Sequence, residues 1–272
     1  METQERTEPV SGMHTPVEVA FPETAAGGRL ELRIEAGACK LNIRPTTGPA
    51  SALWMSGEYY DPTGSLPLSV QHEGERVKLV VGRNFLDRIG LVPGVPELNL
   101  MLSNRYPYAL SIDAGASGMV VDLGGLPITR LDVHFGAGTT ELEFSAPNPA
   151  QMSLLKIGLG AGEIKARNLA NANFEEMTVG GGAANYELDF GGTLRRDGYV
   201  NIGTAMSSVE LRIPRETPAR IVSTIVLGAP EVDEGFAYRD GVYWTPAALE
   251  GRTPMLRLHN SVSLGRLALR SR

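Results

Sequence analysis

The stretch IGLGAGEIKA, residues 157–166, decides the fold of this chain. Gly158, Gly160 and Gly162 stand at every second position, as glycines do in loops that cradle phosphate. A dinucleotide-binding loop has its third glycine three residues after the second, where this chain has Glu163. A phosphate-binding loop ends in Gly-Lys-Ser or Gly-Lys-Thr, and neither occurs in the sequence. These glycines therefore do not predict a nucleotide site.

Similar stretches recur along the chain at a nearly constant spacing. Their first apolar residues are Leu110, Val133, Ile157, Val179 and Val200, which are 23, 24, 22 and 21 residues apart. A period of this size is typical of a solenoid, in which successive coils stack on one another. Apolar and polar residues alternate on both sides of each glycine-rich corner, so each unit is two short strands around a bend. The sequence predicts an all-β, parallel β-solenoid of 21–24-residue coils.

The corner glycines have a conformational role in this interpretation. A sharp bend needs positive φ or a close approach of two backbones, and a Cβ atom resists both. Glycine inside a helix costs about 1 kcal/mol, which argues against a helical alternative. We assign the corners to Gly37, Gly115, Gly138, Gly162, Gly182 and Gly203.

A ladder of charged residues predicts how the coils are aligned. In parallel stacking, residues one coil apart lie above one another and form a column, and opposite charges within a column stabilise that register. The predicted ladder alternates in sign at spacings of 24, 22 and 23 residues through Glu143, Arg167, Asp189 and Arg212. The neighbouring column is Glu141, Lys165, Glu187 and Glu210. Between them, Leu142, Ala166, Leu188 and Leu211 are predicted to face inward.

The repeat predicts one elongated domain over residues 29–270, because no linker-like run interrupts it. Residues 1–28 are acidic and contain Pro9 and Pro16, which predicts a flexible N-terminal tail. The domain divides into irregular coils and a hairpin, regular repeats, and a second hairpin with a closing coil, over 29–108, 109–214 and 215–270. The predicted hairpin turns are Glu73-Gly74-Glu75 and Asp240-Gly241.

Composition excludes several functional classes. The 272 residues include 25 basic and 31 acidic ones, for a net charge of −6, and no basic run follows a phosphate backbone, so nucleic acid is not an expected partner. Cys39 is the single cysteine and is predicted to be a buried small side chain. The four histidines lack metal-ligand spacing, and we expect no metal or cofactor.

The sequence also lacks a secretion signal and a run of apolar residues long enough to form a transmembrane segment. This pattern predicts a cytoplasmic location. The alternative is association with the cell envelope through a partner or a removed anchor.

Asp132 and His134 lie two residues apart on one face of a predicted strand. We expect the neighbouring column to run through Gly158 and Gly180 to Asn201, where missing side chains leave a shallow groove. Acid-base chemistry by Asp132 and His134 is one hypothesis. The other is a solvated sheet face on which Asp132 pairs with Lys156, and it is favoured because nothing independent marks a pocket. No catalytic residue is assigned.

The C-terminal aromatic residues have two interpretations. They stack on a sugar, or they cover the exposed end of the solenoid, and the second is favoured because solenoid ends expose apolar surface. These residues are Phe236, Tyr238, Tyr243 and Trp244.

The units that begin at Leu110 and Val179 resemble the toast-rack domain and the related LiaF-like C-terminal domains of bacterial cell-wall-active antibiotic response proteins, whose relatives are labelled as adhesins. The likeness covers most of the chain from about residue 29 and rests on the repeated Gly-Ala-Gly corners. It implies a right-handed β-solenoid without catalytic residues. Many members are attached to membrane helices or exported.

Two functional hypotheses follow. The preferred one is a non-enzymatic interaction or scaffold module in envelope-stress signalling or adhesion, with a protein partner or self-association. The rival is a carbohydrate-binding or carbohydrate-active protein, since parallel β-helices often present acidic residues to polysaccharides. The acidic columns here alternate with Arg and Lys, which argues for charge pairing rather than for a pair of catalytic carboxylates.

Overall fold

The computed structural model describes residues 13–23, 25–47, 52–82, 94–226 and 229–272, and the chain is all-β. The helical segments are a 3-10 turn, Leu169–Ala172, and a short α-helix, α1, Pro246–Leu249. The strands are β1 Met13–Ala20, β2 Leu30–Ala36, β3 Lys40–Pro45, β4 Leu53–Asp61, β5 Leu68–Glu73, β6 Arg76–Val81, β7 Glu97–Leu102, β8 Tyr108–Asp122, β9 Ile128–Glu143, β10 Met152–Arg167, β11 Phe174–Asp189, β12 Gly198–Ile213, β13 Ala219–Ile225, β14 Glu231–Val232, β15 Ala237–Arg239, β16 Val242–Trp244 and β17 Leu256–Ser271.

Six long strands form the centre of the molecule. The strands β8, β9, β10, β11, β12 and β17 pair in that order, and every pair is parallel and in register. Ile157 near the start of β10 pairs with Val133 and Val179, and Ile164 near its end pairs with Thr140 and Tyr186. Each long strand bends near its middle, so its two halves belong to two stacked layers around one hydrophobic core.

The register differs from the predicted one at two junctions. Val133 pairs with Ile112 rather than Leu110, and Val179 pairs with Ile202 rather than Val200. Both shifts are two residues, and side chains two apart in a strand face the same side. The alternation of apolar residues therefore looks the same in either register.

The coils do not stack in the order of the sequence. At the N-terminal end, the coil of β2 and β3 lies between β8 and the coil of β6 and β7. At the C-terminal end, β17 lies between β12 and the strands β13 and β14. The coils that begin and end the sequence are thus each one place inside the stack.

The predicted tail over residues 1–28 is wrong for its second half. Strand β1 pairs antiparallel with β4, and its Val17 and Val19 side chains are buried. Pro16 fits there because β1 is an edge strand, where the missing N–H faces no partner. The apolar positions Val17 and Val19 alternate as a strand requires, and the surrounding prolines and acidic residues obscured them. Residues 1–12 lie outside the described part of the chain.

Antiparallel hairpins form at both predicted turns. The strands β5 and β6 are joined through Gly74, whose φ is +62°. The strands β15 and β16 are joined through Asp240 and Gly241, with φ of +50° and +81°. Two successive residues with positive φ make the tight turn that matches strand twist, and Asp-Gly suits it because both residues tolerate that conformation.

The inward side chains form a continuous core. Trp54, Tyr108, Phe144 and Phe190 are among its largest fully buried members. The predicted inward column is buried throughout, with Leu142, Ala166, Leu188 and Leu211 at most 1% exposed. Cys39 is fully buried, and this burial raises the pKa of its thiol to about 12.

Candidate functional site

A groove of about 550 Å³ lies on the solvent-facing side of the first halves of the long strands. We call it the glycine groove, because backbone at Gly158, Gly160, Gly180 and Gly181 forms much of its lining. Without side chains along these positions, the strands leave a trough several strands wide. His134 stands at one side of this trough, beside Gly158.

Asp132 and His134 form a close pair beside the groove. The Nε2 atom of His134 lies 2.7 Å from Oδ1 of Asp132, and the two side chains are 40% and 23% exposed. The ring N–H is not directed at that oxygen, because Oδ1 lacks a hydrogen-bond donor among the residues that the structure describes. The contact is therefore a charge pair when the imidazole is protonated. Chemically, the arrangement can hold one proton between an imidazole and a carboxylate.

Asn201 does not join this pair. The column of His134 continues through Gly158 and Gly180 to Gly203, whereas Asn201 lies in the column of Asp132, Lys156 and Thr178. The expected position of Asn201 was two residues off because β12 pairs with β11 at a spacing of 23 residues, as in Gly180 with Gly203. The predicted groove therefore contains a third glycine where a polar side chain was expected.

Charged residues at the N-terminal end of the groove are paired with one another. Arg33 bridges Glu35 and Asp113, each at 2.9 Å. Lys78 reaches Glu35, also at 2.9 Å. Because each basic group there has an acidic neighbour, this end of the groove offers a balanced polar rim rather than a site of one charge.

The six predicted corner glycines occupy different places. Gly37, Gly115 and Gly182 belong to one backbone stack, in which the Gly115 N–H donates to the Gly37 carbonyl. A Cβ at Gly182 would crowd the carbonyl of Gly160, the next glycine of this stack. Sequence reasoning missed Gly136 and Gly160 as members, although they precede the predicted corners by two residues.

Gly138 and Gly162 form the second corner column, and Gly203 belongs to neither stack. Gly138 and Gly162 pair in register with φ of +128° and +125°, a region that side chains rarely adopt. Gly203 faces open space, and a Cβ atom added there would have no neighbouring atom within 4 Å. Positive φ in the middle of the long strands is what bends them.

The ladder residues are in register, but their side chains pair diagonally or along a strand. Arg167 lies opposite Glu143, yet its Nη1 atom is 3.0 Å from Oε2 of Glu141. Arg212 lies opposite Asp189, yet its Nε atom is 2.6 Å from Oε1 of Glu210. A long guanidinium side chain reaches past its direct neighbour to a carboxylate two residues away.

The remaining ladder carboxylates have other donors. The Nδ2 atom of Asn168 donates to Oε1 of Glu143 at 3.0 Å, and Nη1 of Arg272 lies 3.0 Å from Oδ2 of Asp189. Reading only every coil spacing could not identify Arg272 as a partner, because it follows the last strand.

A second polar surface lies on the second layer near the N-terminal end and borders a cavity of about 770 Å³. Its centre is an amide ladder, in which Nδ2 of Asn42 donates to Oδ1 of Asn99 at 2.7 Å. Asn99 in turn donates to Oε1 of Glu97 at 3.0 Å. Sequence reasoning missed these residues because β3 and β7 are separated by a hairpin and do not follow the regular period.

Within the described ranges, we find no cluster of three or more His, Cys, Asp or Glu side chains that could hold a metal ion. None of the helices in those ranges has the length and apolar character required to cross a bilayer.

The sequence of residues 14–167 matches the family model described as the N-terminal domain of toast_rack, DUF2154. This match covers more than half of the chain. No curated protein matches the chain.

Solved structures share the fold at low sequence identity. A protein from Clostridium sporogenes, described as "a putative cell adhesion protein", is 14% identical with a TM-score of 0.53, over 96% of this chain and 100% of that one. A protein from Bacteroides fragilis, described as "a putative adhesin", is 9% identical with a TM-score of 0.45, over 96% of this chain and 97% of that one. The first similarity shows a common fold across the whole length.

Proposed function

The chain belongs to the toast-rack family, and from this premise we propose that it is a non-enzymatic interaction or scaffold module in bacterial adhesion or envelope-stress signalling. The structural neighbour described as "a putative cell adhesion protein" supports the adhesion arm of this proposal. The family membership and the long stacked faces are also compatible with a scaffold that holds partners side by side.

The observation that carries the proposal is the construction of the glycine groove. Its floor is backbone, and its rim consists of charges already paired within the protein, such as Arg33 with Asp113 and His134 with Asp132. A reacting centre needs a positioned nucleophile or a pair of carboxylates with distinct roles. A wide trough with a balanced rim instead suits recognition of an extended partner.

The proposal includes the finer architecture. We place residues 29–270 in one elongated, right-handed solenoid with coils of 21–24 residues, to which β1 adds an edge strand. The in-register pairs and the lack of a linker between the repeats support this arrangement. We also propose a location at the envelope, reached through a partner or a removed anchor, and cell fractionation tests it against a cytoplasmic location.

The test is recovery of a partner through the groove. The full chain and its His134→Asn variant would be used to capture proteins from envelope fractions of the native host, with His259→Asn as the matched control. His259 is an exposed histidine on the same layer, aligned with Asn201 rather than with the groove. We expect one specific partner that is retained by the control and lost by His134→Asn.

Two results would count against the proposal. One is a partner recovered equally by all three proteins, which would place the interaction away from the groove. The other is substrate turnover that disappears in His134→Asn, which would make the protein an enzyme.

Carbohydrate binding is the second candidate function. It is favoured by exposed aromatic side chains, since Tyr199 is 50% and Tyr238 is 63% exposed. Flat aromatic faces pack well against the C–H-rich faces of sugar rings through dispersion contacts. A glycan array probed with the intact protein would test this function directly.

A further inference from the structure

Four large side chains form a row across neighbouring strands near the C-terminal end. Tyr199 of β12 pairs with Arg257 of β17, which pairs with Arg220 of β13, which pairs with Trp244 of β16. We call these four residues the arginine row. Paired residues on adjacent strands share a face of the sheet, so two guanidinium groups lie side by side between two aromatic rings.

Each arginine is held over an aromatic ring. The guanidinium carbon of Arg257 lies 5.3 Å from the centre of the Tyr199 ring, and that of Arg220 lies 5.8 Å from the Trp244 ring. These are cation-π distances, and stacking of this kind fixes the plane of a guanidinium group. The row is therefore a set of oriented donors rather than two freely moving charges.

The two arginines are not equally neutralised. Nη1 of Arg257 lies 2.7 Å from Oδ2 of Asp197. Arg220 has no carboxylate within ion-pair distance in the part of the chain that the structure describes. Like charges placed directly opposite in a sheet are destabilising. One uncompensated arginine beside a second arginine is thus a local cost that an anion would relieve.

A cavity of about 410 Å³ adjoins this row. Arg220 and Trp244 line it together with Arg239, Val242 and Leu249. The cavity is therefore bordered by two guanidinium groups and by apolar and aromatic surface. In a protein with net charge −6, this is a local concentration of positive charge.

We propose that the arginine row and the adjoining cavity bind the carboxylate-bearing sugars of an acidic polysaccharide. A carboxylate accepts two parallel hydrogen bonds from a guanidinium group, and Arg220 presents such donors without an internal acceptor. The rings of Tyr199 and Trp244 lie three strand spacings apart, about 14 Å, and offer stacking surfaces for the sugar rings on either side. The inference extends the carbohydrate-binding candidate and does not involve the glycine groove.

An acidic peptide fits this surface less well. A peptide gains its affinity for a sheet from main-chain hydrogen bonds at an exposed edge, whereas the arginine row crosses the face of paired strands. The aromatic rings at both ends of the row are explained by flat sugar rings and have no equivalent use for an acidic peptide chain.

The test is titration calorimetry of the intact protein with an oligogalacturonate, compared with its fully methyl-esterified form. The key variant is Arg220→Gln, and the matched control is Arg130→Gln. Arg130 is an exposed arginine of β9 whose direct neighbours in the sheet are Ala109 and Leu154. We expect the acid form to bind, the ester to bind at least about tenfold more weakly, and Arg220→Gln to lose about tenfold, because a charge-assisted hydrogen bond is removed. Arg130→Gln should bind as the wild type does.

A second variant guards against a folding defect. Tyr199→Leu keeps both arginines and removes one stacking surface, and we expect a loss of affinity with an unchanged melting temperature. Equal losses in Arg220→Gln and Arg130→Gln, equal binding of acid and ester, or equally tight binding of poly-glutamate would each overturn the inference. The His134→Asn variant should bind the oligosaccharide normally, so a failed partner capture through the groove and a failed sugar titration are separate results.

Discussion

The imidazole ring of His134 occupies the space where a Cβ atom of Gly158 would be, one strand away in the same column. The absence of a side chain at residue 158 therefore decides where the ring of His134 rests. It also keeps the Nε2 side of the ring close to Asp132.

Gly158→Ala should destabilise the protein by about 1–3 kcal/mol, because the added methyl group overlaps the His134 ring. Gly203→Ala is the matched control, since it lies in the same column and faces open space, and it should stay within about 0.5 kcal/mol of wild type. Urea unfolding measures both. The His134→Ala substitution should remove most of the Gly158→Ala cost, and equal costs in both backgrounds would contradict the contact.

Gly162→Ala should be more damaging, by about 3 kcal/mol or more, because strain at φ +125° adds to overlap with the Gly138 carbonyl. Gly118→Ala is the control within the same bend region, with open space around it and an ordinary φ. Thermal unfolding of the two variants would reveal the difference. Similar melting temperatures would mean that the strands do not bend at Gly162.

Arg167→Glu should lower stability by about 1 kcal/mol, because it places an acidic group beside Glu141 and opposite Glu143. The observed ion pair makes Glu141, rather than Glu143, the stronger position for rescue. In a double-mutant cycle, Glu141→Arg should restore more of the loss than Glu143→Arg does. The opposite order would show that the diagonal contact is absent in solution.

Asp197 should make stability depend on pH in the acidic range. The hydrogen bond from the Arg257 side chain, followed by that from the Met255 N–H, lowers the pKa of Asp197. A lowered folded-state pKa contributes stability above the unfolded pKa of about 4, and that contribution is lost as pH falls through the folded value. Urea midpoints of wild type and Asp197→Asn should therefore converge as pH falls below about 4. A constant difference down to the lowest pH would contradict this linkage.

Cys39 should resist thiol reagents in the native protein. Its side chain is fully buried, and burial raises its pKa to about 12, so the reactive thiolate is scarce at mildly alkaline pH. Labelling with a disulfide reagent should be slow in buffer and rapid after unfolding in urea. Rapid labelling of the folded protein would place the thiol at the surface.

The parallel stacking could be predicted from sequence because it depends on local alternation and on a repeated spacing. Ile157 and the corner Gly162 announce one coil, and Val133 with Gly138 announce the coil before it. Their pairing in the structure follows the spacing of 24 residues. The toast-rack family was likewise identifiable from these units.

The remaining features depend on relations that a repeat does not encode. The two-residue shift that replaced Asn201 by Gly203 keeps every side chain on its expected face, so no hydrophobic pattern could detect it. The arginine row was missed because Tyr199, Arg257 and Arg220 come from three strands whose order in the sheet differs from their order in the chain. The aromatic residues of the C-terminal hairpin were noticed, but their arginine neighbours were not.

The placement of β17 between β12 and β13 has a consequence for how the molecule is made. During synthesis the chain emerges from the ribosome in sequence order, so β13 and β14 leave the ribosome before the strand that joins them to the stack. The C-terminal layers can be completed only after translation has passed residue 256. A nascent chain truncated before that residue would lack the strand that links β12 to β13, rather than being the same solenoid with its outermost coil removed.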